Sequence, residues 1–334
     1  MKVLVTGGAG YIGSHTIIEL FNRGYKQIVS VDNYLNSSSA EYEKLERIIG
    51  SKITFEEFDL AEEDDCLKLF EKYKFDSVIH FAALKSVPES VEMPGTYYKN
   101  NLNSLLNVLN SMEKTGAKKI IFSSSCSVYG NPEVLPVTEQ TPFGKAESPY
   151  AHTKQIGEDI LLSYLKANPQ IKAIALRYFN PAGAHKSGLI GEVKTKRPNN
   201  LVPIIAQNAI GMRKSFTVFG SDFNTKDGSC IRDYIHVSDI AEAHVLGMEY
   251  LDRMENNYDV FNLGTGKGST TLEVVHAFEK LEGVKLNYSI GPRRAGDVEI
   301  IYANNEKAQK LLGWNPSHTI KDIVSTAWKW QQNA

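Results

Sequence analysis

Residues 3–13 read Val3-Leu4-Val5-Thr6-Gly7-Gly8-Ala9-Gly10-Tyr11-Ile12-Gly13, a short apolar run that breaks into glycines and takes up helical spacing from Tyr11. The order predicts a strand, a tight turn and the start of a helix. Gly7, Gly10 and Gly13 recur every third residue, and Gly8, Gly10 and Gly13 also satisfy the G-x-G-x-x-G spacing. One glycine lets the backbone turn sharply off the strand. The next lets a pyrophosphate approach with no Cβ in the way, and Gly13 lets the helix pack closely on the sheet. The phosphates would face unpaired N–H groups at the positive helix end.

The second strand expected, Gln27 to Val31, runs into Asp32, nineteen residues past Gly13. An acid there can accept both hydroxyls of an adenosine ribose and would repel a 2′-phosphate, so the pattern favours NAD over NADP. An ordinary strand-turn-helix with a glycine-rich turn is the plainer alternative, and Asp32 weighs against it.

The 334 residues allow one large or two medium domains, and 42% apolar with 23% charged content is ordinary for a globular protein. Lys plus Arg is 37 and Asp plus Glu is 39, so the formal net charge is −2 and neither nucleic acid nor an anionic membrane is expected as partner. The cysteines, Cys66, Cys126 and Cys230, are scattered and odd in number, which argues for a reducing compartment and against structural zinc. The first strand begins at Lys2 or Val3, leaving no room for a signal peptide, and no apolar run approaches a membrane span. A cytoplasmic protein is expected.

Helical faces at Ile12–Phe21, Tyr42–Ile49, Cys66–Tyr73, a long helix opened by Pro94 and closed near Gly116, and one from about Tyr150 to Leu165 alternate with strands. The further strands expected are Ile53–Phe58, Val78–Ala82, Lys119–Phe122 and Ala173–Tyr178. This rhythm predicts an α/β fold of the Rossmann type, a doubly wound parallel sheet with right-handed crossovers. Phe81-Ala82-Ala83 would let a cofactor lie against backbone, and Asp59-Leu60 would meet an adenine edge. Beyond Asn180 the rhythm fails in a polar stretch with Pro181, Gly183, Gly188, Gly191 and Pro198, as a loop-built substrate cap would. Residues 1–180 are therefore read as the cofactor domain and 181–334 as a smaller, mixed α/β C-terminal substrate domain. Within it a helix is expected at Ile204–Met212, a strand at Phe216–Phe219, a helix capped by Ser238-Asp239, and another opened by the capping box Thr270/Glu273.

Tyr150-Ala-His-Thr-Lys154 places a phenol and an ammonium four residues apart, about 6 Å along a helix axis and on one face. The cation favours phenolate, and a bound nicotinamide would add to this, so Tyr150 is expected to fall from about 10 toward neutral pH and serve as base for an alcohol proton. Ser125 lies just past the end of strand five, the edge where open α/β sheets bind ligands, and its hydroxyl can bond the same substrate oxygen. On many helices such a Tyr and Lys are a mere surface contact; the fingerprint and the serine give them context. The histidines show no ligand spacing, so no metal site is expected, and no G-x-S-x-G elbow is present. Gly264 to Thr270 looks like a phosphate loop, but Gly268 follows Lys267 where Ser or Thr belongs, so a plain turn is expected. Arg232, Arg293 and Arg294 could together grip a diphosphate.

Gly7 to Gly13, Asp32, Ser125, Tyr150 and Lys154 resemble the extended short-chain dehydrogenase/reductase family. Val-Ile-His-Phe-Ala-Ala-Leu-Lys-Ser-Val, Leu-Arg-Tyr-Phe-Asn-Pro-Ala-Gly-Ala-His, Pro-Asn-Asn-Leu, Arg-Asp-Tyr-Ile-His-Val and Pro-Arg-Arg-Ala-Gly-Asp extend the resemblance along the whole chain to its UDP-hexose 4-epimerases. The resemblance implies tightly held NAD, contacted by Tyr11, Ile12, Asp32, Asn33, Asn36, Asp59, Leu60, Phe81, Ala82, Ala83, Lys85, Asn100, Ser123, Lys154, Tyr178 and Phe179. It implies a UDP-sugar met by Lys85, Ser125, Tyr150, Asn180, Asn200, Leu201, Thr217, Val218, Phe219, Arg232, Tyr234, Arg294, Asp297 and Ile301. It further implies a homodimer built on cofactor-domain helices, and a chain that returns to the main sheet at about 235–265. The implied reaction interconverts UDP-galactose and UDP-glucose through a 4-keto sugar. At Ile301 the best-known bacterial pattern has a tyrosine, so a roomier pocket that admits N-acetylated UDP-hexosamines is expected.

A nucleotide-sugar 4,6-dehydratase or decarboxylase also begins by oxidising C4. A dehydratase would carry an acid just after the catalytic hydroxyl, where this chain has Cys126-Ser127. A non-catalytic NAD-binding module would lack the Tyr and Lys.

Overall fold

The computed structural model describes residues 1–192, 200–293 and 298–334. Strand β1 (Lys2–Thr6) is buried along almost its whole length because it lies inside the sheet, paired in parallel with β2 (Gln27–Asp32) on one side and β4 (Ser77–His80) on the other. Successive side chains alternate faces. Val3 and Val5 join one apolar core and Leu4 the other.

Between these strands run α1 (Tyr11–Asn22), α2 (Ala40–Ile49), β3 (Thr54–Glu57) and α3 (Glu63–Tyr73). After β4 come α4 (Val87–Glu92), α5 (Pro94–Thr115), β5 (Lys119–Ser125), a 3-10 turn at Cys126–Tyr129, α6 (Pro149–Ala167) and β6 (Lys172–Tyr178). Strand four stops at His80, short of the Ala82 expected, because the N–H groups of Phe81 and Ala82 both turn to the Thr6 hydroxyl, at 3.1 Å each. Strand five runs three residues further than expected, so Ser125 is the last residue of the strand, opposite Tyr178 of β6.

The remaining elements are β7 (Asn180–Ala182), α7 (Leu201–Ala209), β8 (Phe216–Phe219), β9 (Ile231–Arg232), β10 (Tyr234–His236), α8 (Val237–Arg253), β11 (Tyr258–Leu263), β12 (Ser269–Thr270), α9 (Thr271–Glu282), β13 (Tyr288–Gly291), β14 (Ile300–Ile301), α10 (Glu306–Leu312) and α11 (Ile320–Asn333). The main sheet has seven parallel strands in the order β11-β6-β5-β4-β1-β2-β3. Helices α1 and α8 pack together over one face, while α3, α5 and α6 carry the apolar cover of the other. The order reverses between β1 and β4, and at such a switch the carboxyl ends of the strands leave a crevice for a ligand. Strands β8 and β13 with α7, α9 and α11 enclose a separate core around Ile205, Val275 and Phe278.

Two helix starts differ in kind. Thr270 and Glu273 form the expected capping box of α9. Helix α8 is capped instead by His236, whose imidazole accepts the Ser238 N–H at 3.1 Å. Asp239, expected in the cap, faces the C-terminal segment and accepts from the N–H and hydroxyl of Ser317 and from His318. Helix α7 begins at Leu201 with Asn200 as its N-cap, earlier than the periodicity of Ile204–Met212 suggested.

Candidate active site

Gly7, Gly8 and Gly13 of the turn are each closed to a side chain. Gly7 has φ +67°, and a Cβ on Gly13 would sit 2.3 Å from the Gly7 carbonyl oxygen. A Cβ on Gly8 would strike the Ser30 hydroxyl at 1.9 Å. Gly10 caps α1 without any side-chain hydrogen bond, leaving first-turn N–H groups for an anion. These constraints suit a dinucleotide pyrophosphate laid on bare backbone.

Asp32, at the end of β2, accepts the Ala9 N–H on one oxygen, and the Tyr34 N–H and Ser37 hydroxyl on the other. It therefore braces the glycine turn as well as offering its remaining acceptor capacity to a ribose. Burial raises its pKa, and the donated hydrogen bonds pull it back. Asn33 and Asn36 lie exposed in the loop that follows. Asp59 turns the chain by accepting the Ala61 N–H, and the Leu60 carbonyl is held by Asn107. Phe81, Ala82 and Ala83 are half-buried at the end of β4, within reach of the glycine turn: a Cβ on Gly7 would be 3.0 Å from the Ala82 nitrogen. Asn100 donates to Asn101, which pins both the N–H and the carbonyl of Leu84. Ile12 packs on the apolar core, and Phe179 is buried beside Tyr129 and Ile301.

The serine and the Tyr-Lys pair come together across β5 and α6. The Ser148 hydroxyl accepts the Ala151 N–H and Pro149 opens the helix, so Tyr150 falls in the first turn and Lys154 one turn on. The Lys154 ammonium lies 5.9 Å from the centre of the Tyr150 ring and donates to the Ser123 carbonyl at 2.7 Å. The expectation of a lowered phenol is not met in the protein alone. Burial pushes Tyr150 up to about 12, with the Ser125 hydroxyl pulling it down. Burial also brings Lys154 down to about 8, opposed by the Glu158 charge. Desolvation of the phenolate outweighs a partner whose own charge is weakened, so the fall toward neutral pH needs an added positive charge at the ring.

A buried ion pair sets β5, α6 and β6 in register beneath these groups. Glu158 accepts from the Ser124 hydroxyl at 2.6 Å and from Arg177 in bidentate fashion at 2.9 and 2.7 Å. Removing one member of such a pair costs about 3–5 kcal/mol. Its Arg177 partner continues to the Tyr129 hydroxyl, which donates to Asn262. On the opposite face of β6, His244 gives its Nδ1 proton to the Ile240 carbonyl, so Nε2 accepts from the Tyr178 hydroxyl at 2.6 Å. No spacing in the sequence pointed to Glu158, His244 or Asn101.

On the other side of the crevice, Asn180 opens β7 and donates its N–H to the Asp233 carbonyl, and Tyr234 is buried in β10, which pairs with β7. Thr217 and Phe219 are half-buried on one face of β8, but Val218 points into the C-terminal core, so only its backbone can meet a ligand. Asn200 donates to Glu192, which also accepts from Lys85, while Leu201 is half-buried at the start of α7. Ile301 of β14 stands opposite Arg232 of β9 and is buried against Tyr129 and Phe179. Arg293 does not join a diphosphate grip: it is bonded to the Asp222 carboxylate and lies over Phe223. Arg294 and Asp297 lie outside the described residues. The turn after β11 wraps the N–H groups of Thr265 and Gly266 around the Asp233 carboxylate, which excludes phosphate there.

Fold and site together define an NAD-type dehydrogenase scaffold with a buried phenol beside an ammonium, and the chain belongs to the NAD dependent epimerase/dehydratase family, whose pattern matches residues 3–264. Its similarity to UDP-glucose 4-epimerases spans the chain. It is 46% identical to UDP-glucose 4-epimerase 2 of Arabidopsis thaliana over 99% of this chain and 95% of that one. The structure of UDP-glucose 4-epimerase from Bifidobacterium longum, in complex with NAD+ and UDP, is 46% identical and superposes with a TM-score of 0.95 over 100% of this chain and 98% of that one. The enzyme from Stenotrophomonas maltophila, with bound NAD and formylated UDP-arabinopyranose, is 41% identical, with a TM-score of 0.96 over 100% and 98%.

Proposed function

We propose that this protein interconverts UDP-galactose and UDP-glucose, with NAD held tightly between the glycine turn, Asp32 and the ends of β4 and β5. The observation that carries the reading is the meeting of Ser125, Tyr150 and Lys154 in a fold whose glycine turn is closed to side chains at Gly7, Gly8 and Gly13. NAD, when bound, supplies a hydride acceptor that takes hydrogen from the sugar C4 and returns it to either face. Tyr150 removes the proton from the 4-hydroxyl and gives it back, while Ser125 bonds the same oxygen. Lys154, anchored on Ser123, favours the phenolate. The 4-keto sugar can turn over between the two transfers because the nucleotide, met by Asn180, Asn200 and Arg232, supplies most of the binding.

Residues 1–180, with about 235–265 returning, serve the cofactor, and the rest of 181–334 serves the UDP-sugar. The working unit is a homodimer through the outer face of α5 and α6, where Leu106 and Leu162 are each more than a third exposed. Among the described residues no helix is long and apolar enough to cross a membrane, and our reading places the enzyme in the cytoplasm.

The test is to incubate purified protein with UDP-galactose without adding NAD. UDP-glucose should form, and NAD should stay with the protein through gel filtration. Product formation that requires added NAD, or that is undiminished in Tyr150→Phe, would reject the reading.

A further inference from the structure

Segments distant in the chain meet at the carboxylate of Glu192. Its Oε1 accepts from the Lys85 ammonium at 3.1 Å, out of the loop after β4, and from the Asn200 amide at 2.7 Å, at the start of α7. The Lys85 ammonium also stands over the Tyr11 ring, 5.6 Å from its centre, and the Tyr11 hydroxyl is fixed on the Gly183 carbonyl at 2.6 Å. The Glu192 charge is close enough to Tyr11 to help burial raise that phenol. The backbone just before it lies close against the Trp330 indole, 2.6 Å from where a Cβ on Gly191 would sit.

The carboxylate is unbalanced. Its side chain is 13% exposed, Oε1 takes two donors, and Oε2 is buried with no hydrogen-bond partner among the described residues. A buried acceptor left bare is unfavourable, and a negative charge beside a site for diphosphates is more so unless it serves a donor. Apart from phosphate, a dinucleotide and a sugar nucleotide both bring ring hydroxyls. We propose that Glu192 is a ligand-binding residue: Oε2 accepts a hydrogen bond from a sugar-ring hydroxyl of a bound nucleotide, while Oε1 holds Lys85 and Asn200 where they meet it. This inference rests on the UDP-hexose reading above.

The experiment compares the NAD-loaded wild type with Glu192→Ala and Glu192→Gln. It measures NAD content per chain, calorimetric affinity for UDP-galactose and for UDP, KM and kcat, and melting temperature. Loss of a hydrogen bond to a charged group should weaken UDP-galactose binding about tenfold or more in Glu192→Ala and raise KM, with kcat changed by no more than about threefold. Glu192→Gln, whose amide offers one acceptor oxygen where the carboxylate offers two, should recover part of the affinity. Equal losses for UDP and UDP-galactose place the hydroxyl on the uridine ribose, and a loss for UDP-galactose alone places it on the hexose. A fall in NAD content with substrate affinity intact places it on the dinucleotide. Wild-type NAD content and affinity in Glu192→Ala, beside an active wild type, overturn this inference alone. Equal impairment of both variants with lowered melting temperatures marks a purely structural residue and overturns it too. A wild type that neither binds nor converts UDP-galactose overturns it together with the reading beneath it.

Discussion

The Lys154 ammonium donates to the carbonyl oxygen of Ser123 at 2.7 Å, tying the first turns of α6 to the strand that ends in Ser125. The bond spends one of three ammonium donors and aligns Tyr150, Lys154 and Ser125, which come from two elements.

Tyr150→Phe should lower interconversion by about a thousandfold, the scale of a lost general base. The rate should rise with pH toward about 8, as more phenolate forms. Above that, Lys154, brought down to about 8 by burial, loses its charge and stops favouring phenolate, so the rise should flatten. Lys154→Met removes the cation, raises the phenol pKa and should move the rising limb to higher pH. A profile of kcat against pH for the wild type and Lys154→Met checks both signs.

Gly13→Ala places a methyl 2.3 Å from the Gly7 carbonyl oxygen and 2.9 Å from the Gly8 Cα, both backbone. The turn must shift, at about 1–3 kcal/mol for such overpacking. Copurifying NAD, measured after denaturation, should fall sharply while the circular dichroism spectrum is kept.

Acid should destabilise the fold through its buried imidazoles. Burial holds His15 and His80 at about 3 and His236 and His244 at about 4. In the unfolded chain they take a proton near about 6.5, so below that pH the unfolded state binds more protons and stability is lost as pH falls toward the native values. Each unit of depression is worth about 1.4 kcal/mol. His318, raised by the Asp239 carboxylate, acts oppositely: its contribution is complete below about 6.5 and fades as pH rises through its native pKa. The depressed imidazoles outnumber it. The urea midpoint should therefore be lower at about pH 5 than at about pH 7.5, and His244→Gln should flatten the slope.

Ile301, buried opposite Arg232, is a smaller side chain than the tyrosine of the best-known bacterial pattern. The wild type should convert UDP-N-acetylglucosamine above background. Ile301→Tyr should cut that rate about tenfold, the order of a steric discrimination in a pocket, with UDP-galactose turnover little changed. Turnover indistinguishable from background in the wild type removes the idea.

The glycine turn, Asp32, the alternation of strands and helices, and the pairing of Tyr150 with Lys154 were all legible because they are set within a few residues. The positive φ of Gly7, the close approach of Gly13 to the Gly7 carbonyl, helical spacing and a serine-proline helix start need no distant partner. Strand ends were less legible: β4 stops where the Thr6 hydroxyl, more than seventy positions away, captures two N–H groups. That the Val218 side chain turns into the core was not legible, because which face of a short strand is covered depends on α7 and α9.

The amino-acid sequence by itself determined the glycine turn, the order of elements and the pairing of Tyr150 with Lys154 on one helix, because local sterics and periodicity carry that information. Only the tertiary structure decided that Lys154 rests on Ser123, that Glu158 locks Arg177 beneath it, that Glu192 gathers Lys85 and Asn200, and that burial drives Tyr150 upward. Those facts depend on which distant segments the sheet order and the crossovers bring within hydrogen-bonding distance of one another, and on how much water is left between them, neither of which is written in any single stretch of chain.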